Sequence, residues 1–304
     1  MPKKLAMGGQ AVIEGVMIRS PNYNIIAVRK NKKIITKKEK IRQRKGFYKL
    51  PVVRGFFNLV DMLIIGMRAI SWSANQQLEK KEKIGKKEMV FSILFAVLFG
   101  LGLFVALPYF LTNFIGYYEE TKPFLFNLID GIIRIVVFLL YIVAISLMKD
   151  VRILFQYHGA EHMSIHCYEE GKKLNVENIK KFSTLHPRCG TAFIMIVMVV
   201  AILTFSIITP VILIVFPQLL DMGTFPRKIV LFFIRIFLLP LIAGISYEFL
   251  KFSAKFEKNP IIKIFIFPGL LMQKITTKKP DKKQIEVAMA AVKNVLVLEK
   301  SKNI

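Results

Sequence analysis

Residues 191–219 read TAFIMIVMVVAILTFSIITPVILIVFPQL, 29 consecutive residues without a charged side chain. About 20 apolar residues cross a bilayer core as a helix, and a run this long and this apolar has no place in an ordinary soluble domain. Three more stretches are long enough to cross: 89–115, 125–148 and 229–250. The composition points the same way, since 54% of the 304 residues are hydrophobic and the mean hydropathy is +0.48. The expected fold is therefore a mainly α membrane protein with about four transmembrane helices. Pro108 and Pro210 fall late in the first and third spans, where a kink or helix end is expected, and Pro240 sits inside the fourth. Asp130 and Arg134 lie four apart on the second span and Arg235 lies on the fourth, where snorkelling or ion pairs would satisfy them.

Charge sets the expected orientation. Residues 1–87 hold 21 Lys and Arg against 5 Asp and Glu, residues 149–190 hold 7 against 5, and the tail from 251 holds 12 against 4. The connections 116–124 and 220–228 hold only 1 and 2 basic residues. The positive-inside rule then puts both termini and the 149–190 segment in the cytoplasm of a multi-pass cell-membrane protein. A net charge of +25 also suits nucleic acid, but the basic residues flank the apolar runs and the aromatics are mostly Phe within them. That pattern fits a lipid bilayer partner and no nucleic acid. Two cysteines exclude a disulfide framework. The start, MPKKLAMGGQAVIEGVMIRSP, continues into polar sequence, so the first span is expected to serve as the insertion signal.

Outside the spans the chain divides into a cytoplasmic β-rich unit (1–49), an interfacial helix with a basic linker (50–87) and a His/Cys segment (149–190). These are set against span pairs in 88–148 and 191–250, and a cytoplasmic tail of interfacial and amphipathic helices (251–304). AVIEGVMI, NIIAVR and KIITKK read as short β segments separated by Ser20-Pro21-Asn22 and Asn31-Lys32-Lys33. In residues 50–74, Arg54, Asp61 and Arg68 recur every seven residues on one face, which favours a surface-lying helix. Residues 260–272 are apolar but too short to cross, with an expected break at Pro268-Gly269. Ile285, Ala288, Met289, Val292, Val295 and Leu296 have helical spacing and form a face suited to covering the cytoplasmic unit.

All four histidines, His158, His162, His166 and His186, fall within 29 residues. His158-Gly159-Ala160-Glu161-His162 is an H-x-x-E-H arrangement: residues four apart share a helix face, so two imidazoles can meet one ion while Glu161 acts as base. His166 continues the stripe as a third ligand or a supporting partner. His186-Pro187-Arg188-Cys189 brings a second imidazole and thiolate pair just before the third span. If His158, His162, His186 and Cys189 all bind, the site is closed and structural; three ligands with an open position make it catalytic. Arg188 would hold an anionic substrate group or a lipid phosphate. Cys167 reads as buried filler. Gly8-Gly9 before a strand suggests a tight turn or a close backbone approach, with Glu14 on that strand as an extra metal ligand.

These pieces, together with Ser246-Tyr247-Glu248, Thr276-Thr277, Pro280 and Glu286-Val287-Ala288, resemble the YqhQ-like family of bacterial multi-pass membrane proteins of unknown function, described only as predicted metal-dependent enzymes. Ile18 stands where a second Met is expected, which touches packing and not the site. The resemblance implies a shared site drawn from Glu14, His158, Glu161, His162, His186, Arg188, Cys189 and Glu248. Glu248, at the cytoplasmic end of the fourth span, would be a distal ligand if the bundle brings it to the same surface. The leading expectation is a hydrolase with a divalent metal, zinc by ligand type, acting on a membrane-proximal peptide or lipid. A scaffold or assembly factor with a structural zinc is the alternative, and a transporter built on Asp130, Arg134 and Arg235 ranks last because the spans lack internal repeats.

Overall fold

The protein is described by a computed structural model over residues 5–41, 43–78, 86–186, 189–256 and 259–302. It is mainly α, with four helical segments among the described residues long and apolar enough to cross a membrane: Val90–Phe114, Pro123–Ser146, Gly190–Val215 and Phe225–Ser253. The first is built from α2 (Lys86–Leu101) and α3 (Leu107–Phe114), joined by a π-helical stretch over Gly102–Ala106. Pro108 has no N–H to give and crowds the preceding turn, and a locally widened helix accommodates both defects. The second, third and fourth spans are α4 (Pro123–Ser146), α7 (Gly190–Val215) and α9 (Thr224–Lys255), with Pro210 and Pro240 inside unbroken helices. α3 packs on α4, α4 on α7 and α7 on α9. Outward-facing Phe237 is 83% exposed and Ile214 77%, a surface that lipid covers. Asp130, Arg134 and Arg235 are matched within the bundle. Arg134 Nε lies 2.8 Å from Asp130 Oδ2, and Arg235 reaches from α9 to Glu119 and to Asn127 Oδ1, the latter at 2.9 Å.

A compact body gathers at one end of these helices. Its sheet is an antiparallel meander in the order β1 (Gly8–Val12), β2 (Gly15–Arg19), β3 (Tyr23–Lys30) and β4 (Lys33–Lys40). AVIEGVMI is therefore two strands and not one, and Glu14 belongs to the hairpin turn between them. Val12 pairs with Gly15 across that turn, and Glu14 takes the left-handed conformation (φ 51°) at its second position, as in a type II turn. Gly15 is required next to it, because a Cβ there would lie 2.1 Å from the Ala27 carbonyl oxygen.

Both faces of the sheet are covered. Val12, Met17, Ile26 and Val28 pack with Ala69, Ile65 and Trp72 of α1 (Val53–Gln77). Val16, Ile18, Ile25 and Ala27 pack with α5 (Lys149–Glu169) and α11 (Lys282–Lys302). The stripe Ile285, Ala288, Val292 and Val295 is fully buried there. α11 begins with a capping box: Gln284 N donates to Asp281 Oδ1 (2.7 Å) and Asp281 N to Gln284 Oε1 (2.9 Å). Near its other end Glu299 accepts from Ser20 Oγ (2.6 Å), Asn22 N (2.9 Å) and Asn22 Nδ2 (2.7 Å), which ties it to the β2–β3 turn. α1 also crosses α9, where Gly55 and Gly244 allow backbone contact. Short helices α6 (Val176–Ile179) and α8 (Gln218–Asp221) lie in the connections. The break expected at Pro268-Gly269 does not occur. α10 (Pro260–Thr276) runs through it, and Gly269 lets the helix press on Ala192 of α7.

Candidate metal centre

α5 carries His158, Glu161, His162 and His166 on one 21-residue helix, and the first three side chains are buried. Two chain segments close over that face: residues 183–186 with Cys189, and residues 276–278 after α10. Gly159 makes the second approach feasible, since a Cβ there would sit 2.2 Å from the Lys278 carbonyl oxygen. Lys278 N donates to the Phe155 carbonyl at 2.9 Å, which holds that segment along the helix. Gly9 does the same on the other flank. A Cβ on it would meet the Met17 carbonyl oxygen at 2.4 Å and Glu161 Oε1 at 3.0 Å, so β1 runs directly beside the carboxylate.

The backbone fixes the imidazoles. Nδ1 of His158 lies 2.9 Å from the Thr276 carbonyl oxygen, and Nδ1 of His162 lies 2.5 Å from that of Thr184. A carbonyl only accepts, so both Nδ1 atoms carry a proton, and in a neutral ring Nε2 is then the nitrogen with a lone pair to give. Those lone pairs converge on Cys189, the residue immediately before α7. Nε2 of His158, a ring nitrogen of His162 and Cys189 Sγ all lie within 4.8 Å of one another, and His158 Nε2 is 3.1 Å from the sulfur. Zinc bond lengths give a tetrahedral N···S separation of about 3.6 Å, so the edge from His158 to Cys189 would need to lengthen by only about 0.5 Å around an ion. Histidine ligands held by Nδ1–H to a carbonyl are the usual supporting arrangement of metal sites. Glu161 Oε2 lies 3.5 Å from His162 Nε2. Burial pushes this carboxyl up to about 7, against the pull of His158 and His186, and burial likewise lowers His162.

A second group adjoins the first: ligand atoms of His166, Glu169 and His186 lie within 4.8 Å of one another. His186 Nε2 is 3.2 Å from Glu169 Oε2. The backbone of His186 is clamped by Gln273, which accepts from His186 N at 2.8 Å and donates to His186 O at 2.9 Å. Burial first, then the charge of His186, brings His166 down to about 4, so it is neutral at pH 7. The four rings form a row, with centroid separations of 4.4 Å (158–162), 5.6 Å (162–186) and 4.4 Å (186–166).

The structure thus brings His158, His162 and Cys189 together with Glu161 beside them, and places His186 with His166 and Glu169. Glu14 and Glu248 belong to neither group. Glu14 sits in its hairpin turn and accepts from Tyr157 Oη at 3.1 Å. Glu248 is held by Arg54 through two bonds, one of them from Nε at 2.7 Å, so its negative charge is committed to α1. Arg188 lies outside the described residues. Cys167 is buried, its sulfur directed at the carbonyls of Lys172 and Lys173, and burial raises its thiol. Glu169 escaped the sequence reading although its spacing of three from His166 was a usable signal. Gln273 and the Thr184 and Thr276 carbonyls left no such signal.

Fold and site together define a four-span membrane protein that carries a histidine and cysteine centre in a body outside its spans. Residues 50–298 match the family described as a protein of unknown function, DUF1385, and the chain belongs to that family. It is also 29% identical, over 320 aligned positions, to the uncharacterized protein YqhQ of Bacillus subtilis (strain 168), covering 97% of this chain and 93% of that one. No solved structure matches it.

Proposed function

We propose that the protein is a metal-dependent hydrolase at the cytoplasmic membrane surface, with His158, His162 and Cys189 holding one divalent ion. The observation that carries this reading is the pair of Nδ1–H groups locked on backbone carbonyls, which leaves Nε2 of each ring as the nitrogen able to ligate, grouped with the Cys189 thiol. Two nitrogens and a sulfur suit zinc by donor softness. Three protein donors leave a tetrahedral position open, which favours catalysis over a structural staple. A bound ion would supply Lewis acidity and make water a competent nucleophile near neutral pH.

Glu161 is the base in this reading. Its carboxyl lies beside the donor triangle, and burial favours its taking a proton. Thr184 and Thr276 keep the imidazoles in the ligating tautomer. Gly9 keeps β1 against Glu161, which restricts water at that flank. Cys189 stands one residue before the third span, so the substrate is membrane-proximal: a peptide or lipid presented at the bilayer surface. The basic excess on both sides of this segment supports the cytoplasmic assignment.

The test is metal content per chain of the detergent-purified protein for the parent, His158→Ala, Cys189→Ser and Glu161→Gln. About one zinc per chain is expected, lost in the first two variants and kept in the third. Absence of metal from folded parent protein overturns the proposal.

A further inference from the structure

Away from the histidines, a cavity of about 320 Å³ lies between the β unit and the start of α1, lined by Arg19, Arg44, Lys49, Arg54, Asn58 and Asp61 among others. Its charge does not balance. Arg44 is matched by Asp61 through bonds of 2.6 and 3.0 Å, and Arg54 is matched by Glu248. Arg19 is half-buried and its guanidinium has neither a hydrogen bond nor an ion pair among the described residues, and Lys49 likewise has no acidic partner there. Burial disfavours the charge on Arg19, and Asp61 and Tyr247 offset this only by through-space attraction. A half-buried guanidinium without an acceptor, with a second unmatched cation beside it, is a site for an anion. Its planar array of donors fits a tetrahedral oxyanion in particular.

Position narrows the source. Arg54 reaches Glu248, which lies within the last membrane-spanning segment, so the cavity stands at the level where α9 leaves the bilayer. The turn that carries Lys49 also presents Phe47, 65% exposed, and is followed by Leu50, 51% exposed. Apolar side chains turned outward beside a basic pocket at this level are arranged as an interfacial anchor.

We propose that this cavity binds a phosphate group through Arg19 and Lys49, supplied either by the headgroup of an anionic phospholipid or by free phosphate. The site is independent of the metal reading and needs no turnover to be tested.

The full chain is purified in neutral detergent, and retention of phosphatidylglycerol and of phosphatidylcholine is compared by native mass spectrometry, with inorganic phosphate as competitor. Preferential phosphatidylglycerol retention, weakened about fivefold in Arg19→Gln and in Lys49→Gln, is the expected result for a headgroup site. Binding of inorganic phosphate with no preference between the lipids, weakened by the same substitutions, supports the site and assigns it to free phosphate. Since Arg19 lies on a strand, Lys49→Gln on the exposed turn decides if the first variant fails to fold. Equal retention of both lipids with no phosphate binding, or anion binding unchanged in Lys49→Gln, overturns the proposal. Zinc content stays at the parent value in both variants.

Discussion

Gly159→Ala sets two effects of opposite sign against each other. Within a helix, replacing Gly by Ala stabilises by about 0.8–1 kcal/mol. The new Cβ would lie 2.2 Å from the Lys278 carbonyl oxygen, more than 1 Å inside an ordinary contact. The segment it meets has little room to yield. Lys278 N is bonded to the Phe155 carbonyl, and Thr277 is buried, with its hydroxyl donating to the Gln273 carbonyl at 2.7 Å. Overpacking of this kind costs about 1–3 kcal/mol, and loss of the Lys278 bond adds roughly 1 kcal/mol. The net expectation is destabilisation by about 1–3 kcal/mol, read in detergent as a fall in Tm of about 2–5 °C. Displacing the segment also moves the Thr276 carbonyl from His158, so zinc affinity measured by chelator competition should fall about 10- to 100-fold. A variant as stable as the parent, with unchanged zinc affinity, would refute the claim that this glycine sets the approach of the 276–278 segment.

Three further outcomes are expected. Glu248→Gln should leave metal content unchanged, because Arg54 occupies that carboxylate, and should cost at most about 1 kcal/mol in thermal denaturation given its partial exposure; loss of metal would return Glu248 to the ligand set. Glu299→Ala removes three bonds to Ser20 and Asn22, of which the Ser20 hydroxyl can turn to the Tyr23 carbonyl, so unfolding should become easier by roughly 1–3 kcal/mol in a denaturant titration. Chelator treatment should remove the ion with little change in far-UV circular dichroism, since backbone bonds and Gln273 hold the site segments without it. Collapse of the signal would favour a structural zinc.

The spans were legible because lipid imposes one demand over about 20 residues, and no local detail in 191–215 overrides it. The stripe of His158, His162 and His166 was equally plain, since spacing four on a helix fixes a shared face. The meander was only partly so. Asn31 marks its left-handed turn by residue type, whereas Ile13-Glu14 hides one, and only the packing of Gly15 against β3 discloses it. The division of the histidines into two groups was out of reach. It depends on where Gln273 pins the His186 backbone, a contact 87 residues away in the chain. Glu248 misled for a similar reason, because its partner Arg54 is 194 residues distant. Periodicity reports which face a side chain occupies, and says nothing of which remote group is waiting there.

The body that houses the histidines is assembled from three parts of the chain separated by membrane spans: the sheet, α5 with its following loop, and α11. During synthesis α5 is complete at residue 169 while α11 begins only at residue 282. At roughly 5–20 residues per second, the apolar face formed by Tyr157, Ala160 and Met163 waits about 6–23 s for the helix that covers it. By then the last two spans have been made. Closure of the Glu299 clamp on the β2–β3 turn thus comes only after α11 has been made, and a chain truncated before α11 would leave that face of α5 and of the sheet bare beside helices already threaded.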